Sequence, residues 1–147
     1  MKPSAQKITL AICLLIISPL TCVRAQQDDS FSDKDIKVVS FEELSYPALA
    51  RSARIQGVVV VRAKLDNQGK VVDAVGVSGS ELLLPGSIDN VKKWRFEPNA
   101  RKSAMVVYNF TILEGRCNSY SSLFILQGAN LARIITCPPQ INVSSSR

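Results

Sequence analysis

The strongest constraint on the fold of this 147-residue chain is a strand, a tight turn and a second strand in direct succession. Val58 to Leu65 alternates apolar side chains with others, as a half-buried strand does. Asp66 to Gly69 follows, and Gly69 can take the positive φ that a tight hairpin turn requires. Lys70 to Ser78 predicts the returning strand. The face predicted to be buried carries Val59, Val61, Ala63 and Leu65 on the first strand and Val71, Val75 and Val77 on the second.

A helix and a third strand follow this hairpin. Gly86 to Arg95 has apolar residues at every third position, which predicts a helix with one apolar stripe. Ala104 to Leu113 alternates like the first strand. A shorter helix over Pro47 to Arg54 precedes the hairpin, because proline is favoured in a first helical turn. The apolar stripe would hold Ile88, Val91 and Trp94; the third strand would turn Val106, Tyr108, Phe110 and Ile112 inward and Met105, Val107, Asn109 and Thr111 to the other side.

The sequence therefore predicts an α+β fold, a small antiparallel sheet of three strands with two short helices on one face. Ser121 to Gln127 and Leu131 to Thr136 have strand character and extend this sheet at the C-terminus. The division that follows is a compact domain at residues 41–113 and a C-terminal extension at residues 114–147.

The N-terminal 25 residues have the pattern of a secretory signal peptide, with basic residues, an apolar run from Ile8 to Ile17 and a small residue, Ala25, at the cleavage position. An uncleaved signal anchor is the alternative. Residues 26–40 are polar and predict a flexible leader. Removal of the signal takes away three basic residues and lowers the formal net charge from +6 to about +3. Half of the net positive charge thus belongs to the predicted signal peptide, and no nucleic-acid partner is expected.

Cysteine usage agrees with export. Cys13 and Cys22 leave with the signal, and Cys117 and Cys137 remain as an even pair. A disulfide between Cys117 and Cys137 would close a loop of about 20 residues and stabilise the fold by roughly 3 kcal/mol. Two free buried thiols are the alternative, and a metal site is disfavoured because no histidine and no CxxC spacing accompany the pair.

No motif of an enzyme occurs in the sequence. The chain has no histidine, which excludes histidine-based triads and histidine metal sites. The seven glycines form no phosphate-binding loop. We therefore expect no catalysis, no cofactor and no metal.

Two motifs together resemble the C-terminal domain of the TonB family. Tyr46-Pro47 opens the first, which continues to Ile55-Gln56-Gly57, and Trp94-Arg95-Phe96-Glu97-Pro98 is the second. With the hairpin and the third strand between and after them, the resemblance covers about residues 45–113. It implies that the following residues mainly determine the fold: Tyr46, Pro47, Gly57, Gly69, Trp94, Arg95, Phe96 and Pro98.

The resemblance also implies how such a domain binds. TonB C-terminal domains recruit the short TonB-box peptide of an outer-membrane receptor by strand addition beside the strand that matches Ala104 to Leu113. A sheet edge at that strand would offer unpaired backbone groups to the peptide. If Ser121 to Gln127 folds back beside Ala104 to Leu113, that edge is already occupied. The segment would then either complete and protect the sheet or act as an internal competitor that a partner strand displaces. The edge residues would be Met105, Val107, Asn109 and Thr111, and a second contact, with the receptor plug, would fall on Glu42, Glu43, Leu44 and Ser45.

The expected protein is thus an exported, periplasmic TonB C-terminal-like protein that binds an outer-membrane TonB-dependent receptor or another envelope protein by strand addition. One alternative is a short energy transducer anchored in the inner membrane and facing the periplasm. The other is a structural envelope module that forms a scaffold or a homodimer. A full transducer needs a membrane helix, usually with a histidine, and a long spacer; this chain has no histidine, and residues 26–40 reach only about 50 Å when fully extended.

Overall fold

The computed structural model describes residues 36–114, 117 and 122–139. The predicted signal segment, most of the leader and the serine-rich end lie outside the described residues. Within them the chain forms two helices and seven strands. In chain order these are β1 (Val38–Ser40), α1 (Ala48–Ser52), β2 (Gly57–Leu65), β3 (Val71–Ser78), α2 (Leu84–Val91), β4 (Arg95–Phe96), β5 (Ser103–Ile112), β6 (Leu123–Gln127) and β7 (Leu131–Thr136).

The main sheet has five strands in the order β3-β2-β5-β7-β6, and β1 and β4 pair separately. β2 is antiparallel to both of its neighbours. It reaches β3 through a direct hairpin turn, whereas β3, α2 and β4 lie between β2 and β5 in the chain. The α+β fold is confirmed, but the sheet is mixed rather than wholly antiparallel, because β7 runs parallel to β5. The reason is the position of the two strands of the C-terminal hairpin in the sheet. β6 takes the outermost position, and β7 returns through the turn at residues 128–130 into the place beside β5.

One face of this sheet carries the core. The side chains predicted to face inward from β2 are all buried, and so are Val106, Tyr108 and Phe110 on β5. Ala50 of α1 and Val91 of α2 are fully buried with them. The largest fully buried side chains are aromatic, namely Trp94, Tyr108, Phe96 and Phe110. The opposite face of the sheet is more open, with alternate residues of β5 only half-buried.

The predicted face of the second strand is wrong beyond its first residue. Val71 is buried as expected, but Val75 and Val77 are 51% and 48% exposed, and Ala74 faces the core instead. The pairing of β2 with β3 shifts by one residue between Leu65–Val71 and Lys64–Asp73. An extra residue at such a bulge reverses the side to which every later residue points.

The second helix is also shorter than predicted. It ends at Val91, and two turn residues lead to Trp94, whose N–H donates to the carbonyl of Val91 (3.0 Å). Arg95 and Phe96 then form β4 rather than a last helical turn, because they pair with β1. The N–H of Phe96 also donates to the carbonyl of Gly69 (2.9 Å). Trp94 remains a core residue, 1% exposed. Within residues 36–114, 117 and 122–139, neither helix has the length and apolar character needed to cross a bilayer.

Candidate partner-binding edge

The strand predicted to be the binding edge is an interior strand. β5 lies between β2 and β7, with Val107 opposite Val60 on one side and Leu131 on the other. The side of β5 that the resemblance assigns to a partner is therefore filled by the C-terminal extension, which was one of the alternatives left open by the sequence. The strand in that place is β7, however, and not the segment from Ser121 to Gln127. The predicted edge residues Met105, Val107, Asn109 and Thr111 are half-buried on the open face of the sheet.

The hairpin is packed into the domain rather than laid on its surface. Ala132 and Ile134 of β7 are fully buried, and Thr136 is 2% exposed. Backbone bonds tie both ends of β7 to β5, since the carbonyls of Asn130 and Thr136 accept from N–H groups of β5 and the residue after it, at 2.8 and 2.9 Å. The core of the domain thus includes β7.

The first strand of the hairpin contacts the aromatic cluster. The ring of Phe124 stacks on Phe41 with centroids 5.7 Å apart, and it meets the edge of Trp94 at 6.4 Å. Phe41 also lies against Trp94, at 5.8 Å. β6 therefore packs, through Phe124, against Trp94 of the domain core.

Cys117 and Cys137 lie side by side at the end of the sheet where β5 and β7 finish. Their Cα atoms are 5.6 Å apart, within the range that a disulfide requires. Cys137 is 5% exposed. The 20-residue separation between the pair contains the whole of β6 and β7.

The two outer strands of the sheet differ in how open they are to pairing. β3 carries Asp73 and Gly76, and its pairing with β2 is interrupted by two register shifts. β6 reads Leu-Phe-Ile-Leu-Gln, without charge or proline, and pairs with β7 in unbroken register. Among the described residues no strand pairs with the outer side of either. Bulges and charges are devices that protect edge strands, and β6 has neither.

The segment predicted to contact a receptor plug lies next to β6. The backbone N–H of Tyr46 donates to the hydroxyl oxygen of Ser122, one residue ahead of β6, at 2.9 Å. Glu43 and Ser45 are exposed, whereas Leu44 is half-buried against the core. The carboxylate of Glu42 forms an ion pair with the ammonium group of Lys93 at 2.9 Å. The structure thus brings the segment at residues 42–45 together with β6 and not with a free side of β5.

A buried asparagine, Asn90, which was not among the predicted site residues, connects these parts. Asn90 is 5% exposed, and its side-chain oxygen accepts from the indole N–H of Trp94 (3.0 Å) and the hydroxyl of Tyr108 (2.9 Å). Its amide nitrogen donates to the carbonyl of Glu42 (3.0 Å). Burial raises the pKa of the Tyr108 hydroxyl above its ordinary value, so this group stays a donor. The available signal was an asparagine four residues before the tryptophan, hence on the same helical face.

The Tyr46-Pro47 motif forms the entry to α1. The Tyr46 hydroxyl donates to the carbonyl of Ile55 at 2.6 Å, and its ring meets Phe110 edge-on with centroids 5.3 Å apart. Pro47 immediately precedes the helix. These contacts fix the chain across the core face of β5.

Of the other motif residues, Gly69 and Arg95-Phe96 meet at the hairpin turn, whereas Gly57 begins β2 at its opposite end. Gly69 has φ 77°, and a Cβ there would overlap the carbonyl oxygen of Phe96. Gly57 has φ 135°, a value that other residues rarely adopt. Arg95 and Pro98 are exposed, so their side chains do not contribute to the core. No group of three or more cysteine, aspartate or glutamate side chains within the described part of the chain could hold a metal ion.

These features define a two-layer α+β domain with aromatic anchors and an unprotected sheet edge. Residues 42–113 match the family model of the Gram-negative bacterial TonB protein C-terminal. The domain at these residues belongs to the TonB C-terminal family, as the motifs predicted. The TonB C-terminal family is associated with transport.

A curated relative agrees. The chain is 29% identical over 82 residues to protein TonB of Vibrio cholerae serotype O1. The aligned stretch is 54% of this chain and 34% of that relative, so the chain spans about a third of the relative's length. The family match ends at Leu113, and the β6–β7 hairpin with its cysteine pair therefore lies outside it.

Proposed function

We propose that this protein is exported to the periplasm and takes part in TonB-dependent transport by binding an extended segment of an envelope partner as an added β-strand. The partner is an outer-membrane receptor that presents a TonB-box-like peptide. Family membership supports the transport role and the envelope partner. The protein acts by binding, without catalysis or a cofactor.

The observation that carries the proposal is the unpaired outer side of a regular strand in a TonB C-terminal domain. Strand addition needs backbone N–H and C=O groups in a straight row that no other strand uses, and main-chain hydrogen bonds then supply affinity. The five-stranded sheet ends in β3 and β6, and within the described residues neither strand has a partner on its outer side. The exposed residues Glu43 and Ser45 provide a second surface for the partner.

The compartment follows from the N-terminal segment and the cysteines. Residues 1–25 act as a cleaved signal peptide, and Cys117 and Cys137 form a disulfide after export. The close approach of the two cysteines supports this bond, which an oxidising compartment would maintain. The intact mass of the mature protein under non-reducing conditions tests both points together.

Binding is tested by titrating the mature protein with a fluorescent peptide that carries the TonB-box segment of a receptor from the same cell, followed by anisotropy. A scrambled peptide of equal composition is the matched control. Saturable binding of the native peptide, at least tenfold tighter than the scrambled one, is the expected result. Equal, weak binding of both peptides would contradict the proposal.

A further inference from the structure

We infer that a partner strand adds to the outer side of β6, and that the side of β5 is permanently filled by the chain's own β7. This inference rests on the proposed function, because it names the edge that strand addition uses. It moves the contact from Met105, Val107, Asn109 and Thr111 to the row formed by Leu123–Gln127.

The side of β5 is closed by more than backbone pairing. Displacing β7 would expose Ala132 and Ile134, which are fully buried, and would separate Phe124 from the aromatic rings it contacts. Burial of one large apolar side chain is worth about 1.5–3 kcal/mol. An incoming peptide would have to replace this packing as well as the hydrogen bonds. The cysteine pair at the base further holds the hairpin in place.

The direction of the backbone groups on β6 follows from the pairing of its neighbours. The carbonyls of Asn130 and Thr136 point to β5, and alternation along a strand turns the backbone of every even-numbered residue of β7 the same way. The odd-numbered residues of β7 therefore face β6, where they stand opposite odd-numbered residues. Phe124 and Leu126 are left with their N–H and C=O groups directed outward. They offer two donors and two acceptors to an added strand.

The opposite edge of the sheet is a poorer acceptor. The two register shifts of β3 break the regular row of outward groups, and Asp73 places a charge in it. Such features disfavour pairing with another chain. Of the two outer strands among the described residues, β6 is the one suited to strand addition.

The surroundings of β6 specify the chemistry of the partner strand. On the core side the strand would lie beside Phe124 and Leu126, next to the ring of Phe41, which is 43% exposed. On the open side it would lie beside Leu123, which is 57% exposed, and Ile125. Both faces are apolar at this edge. The fitting partner is an extended, uncharged and apolar segment of about five residues, the length over which one strand can pair with β6.

A proline substitution in β6 tests whether the partner strand binds at this edge of the sheet. Leu126→Pro removes one outward N–H and no bond to β7, which is the situation in which an edge strand tolerates proline. Leu126→Ala is the matched control, because it shortens the side chain and keeps the N–H. Binding of the TonB-box peptide to the three proteins is compared by anisotropy. We expect Leu126→Pro to bind at least tenfold more weakly than Leu126→Ala.

The outcomes distinguish this inference from the proposed function. Equal affinities of Leu126→Pro and Leu126→Ala, with clear binding by the unsubstituted protein, would overturn the β6 edge and leave the proposed function standing. Absence of binding by the unsubstituted protein overturns the proposed function, and this inference with it. If Leu126→Pro fails to fold, intermolecular NOEs in the unsubstituted complex decide. Contacts between the peptide and the amides of Phe124 and Leu126 support the inference, and contacts with β5 amides contradict it.

Discussion

The five-stranded sheet consists of two halves that differ in how they are built. The family half (β3, β2 and β5) lies within residues 42–113 and is connected by antiparallel pairings. The hairpin half (β7 and β6) follows the family match and joins β5 through a parallel pairing. The family half supplies the tryptophan, the buried asparagine and most of the core, whereas the hairpin half supplies a closing strand and a new edge. An added hairpin can thus close one edge of a sheet and provide another.

The largest expected effect falls on the aromatic anchor of the family half. Trp94→Ala removes a fully buried ring that contacts Phe41, Phe96, Tyr108 and Phe124, and it leaves Asn90 without one of its donors. We expect the free energy of unfolding to fall by about 4 kcal/mol. Urea denaturation followed by circular dichroism measures it. Val39→Ala, at a side chain 59% exposed, is the control and should change stability little; an equal loss in both variants would contradict the account.

The next largest effect is expected from removing the cysteine pair that joins the two ends of the hairpin segment. Replacing both Cys117 and Cys137 by serine should lower the free energy of unfolding by about 3 kcal/mol, because the unfolded chain regains the freedom of a 20-residue loop. The unsubstituted protein in excess dithiothreitol should unfold at the same urea concentration as the double variant. Stability that is unaffected by either change would show that the cysteines form no bond.

A substitution with a smaller expected effect tests whether β7 is part of the core of the whole domain. Ile134→Val deletes one methyl group from a fully buried side chain and should cost about 1 kcal/mol. Ile135→Val is the matched control on the half-buried open face, and its cost should be clearly smaller. The same single transition should be seen by tryptophan fluorescence and by circular dichroism. Two separate transitions would mean that the hairpin half unfolds on its own.

The smallest effect concerns the turn of the family half. Backbone N–H groups of Lys70 and Gln68 donate to the Asp66 carboxylate (2.9 and 2.8 Å) and hold its pKa below the usual value. Because the folded pKa is depressed, this stabilisation is present above the unfolded pKa and disappears as pH falls through the folded one. Asp66→Asn should be slightly less stable than the unsubstituted protein at pH 7, and the gap should close below about pH 4. Thermal melts across pH 2–7 check this, with Glu81→Gln as the control; a gap that widens at low pH would contradict it.

The sequence predicted the family half better than the hairpin half, for reasons of locality. The alternation of β2 and β5 and the turn at Gly69 are encoded within a few residues, and each took the predicted form. The exposed Val75 and Val77 were missed because a bulge arises from pairing and leaves no mark in the alternation itself. The end of α2 was missed because Arg95-Phe96 is a strand only through contacts with distant residues.

The candidate site depended on still longer-range information. Two strands were predicted in the extension, but which of them lies beside β5 is decided by the path of the chain and not by composition. A free β5 edge and a filled one have the same local sequence. The role of Asn90 likewise depends on partners up to 48 residues away. The character of β6, uncharged and regular, could be read from its residues once its position was known.

Strand addition at β6 is tested most directly by amide hydrogen exchange along β6 and β7, with and without saturating TonB-box peptide. We expect exchange of the Phe124 and Leu126 amides to become at least tenfold slower on binding, while exchange of the Ala132 and Ile134 amides stays slow in both states. If the peptide instead displaces the hairpin, the amides of Ala132 and Ile134 will exchange faster when it binds. That result would place the partner strand beside β5 and contradict strand addition at β6.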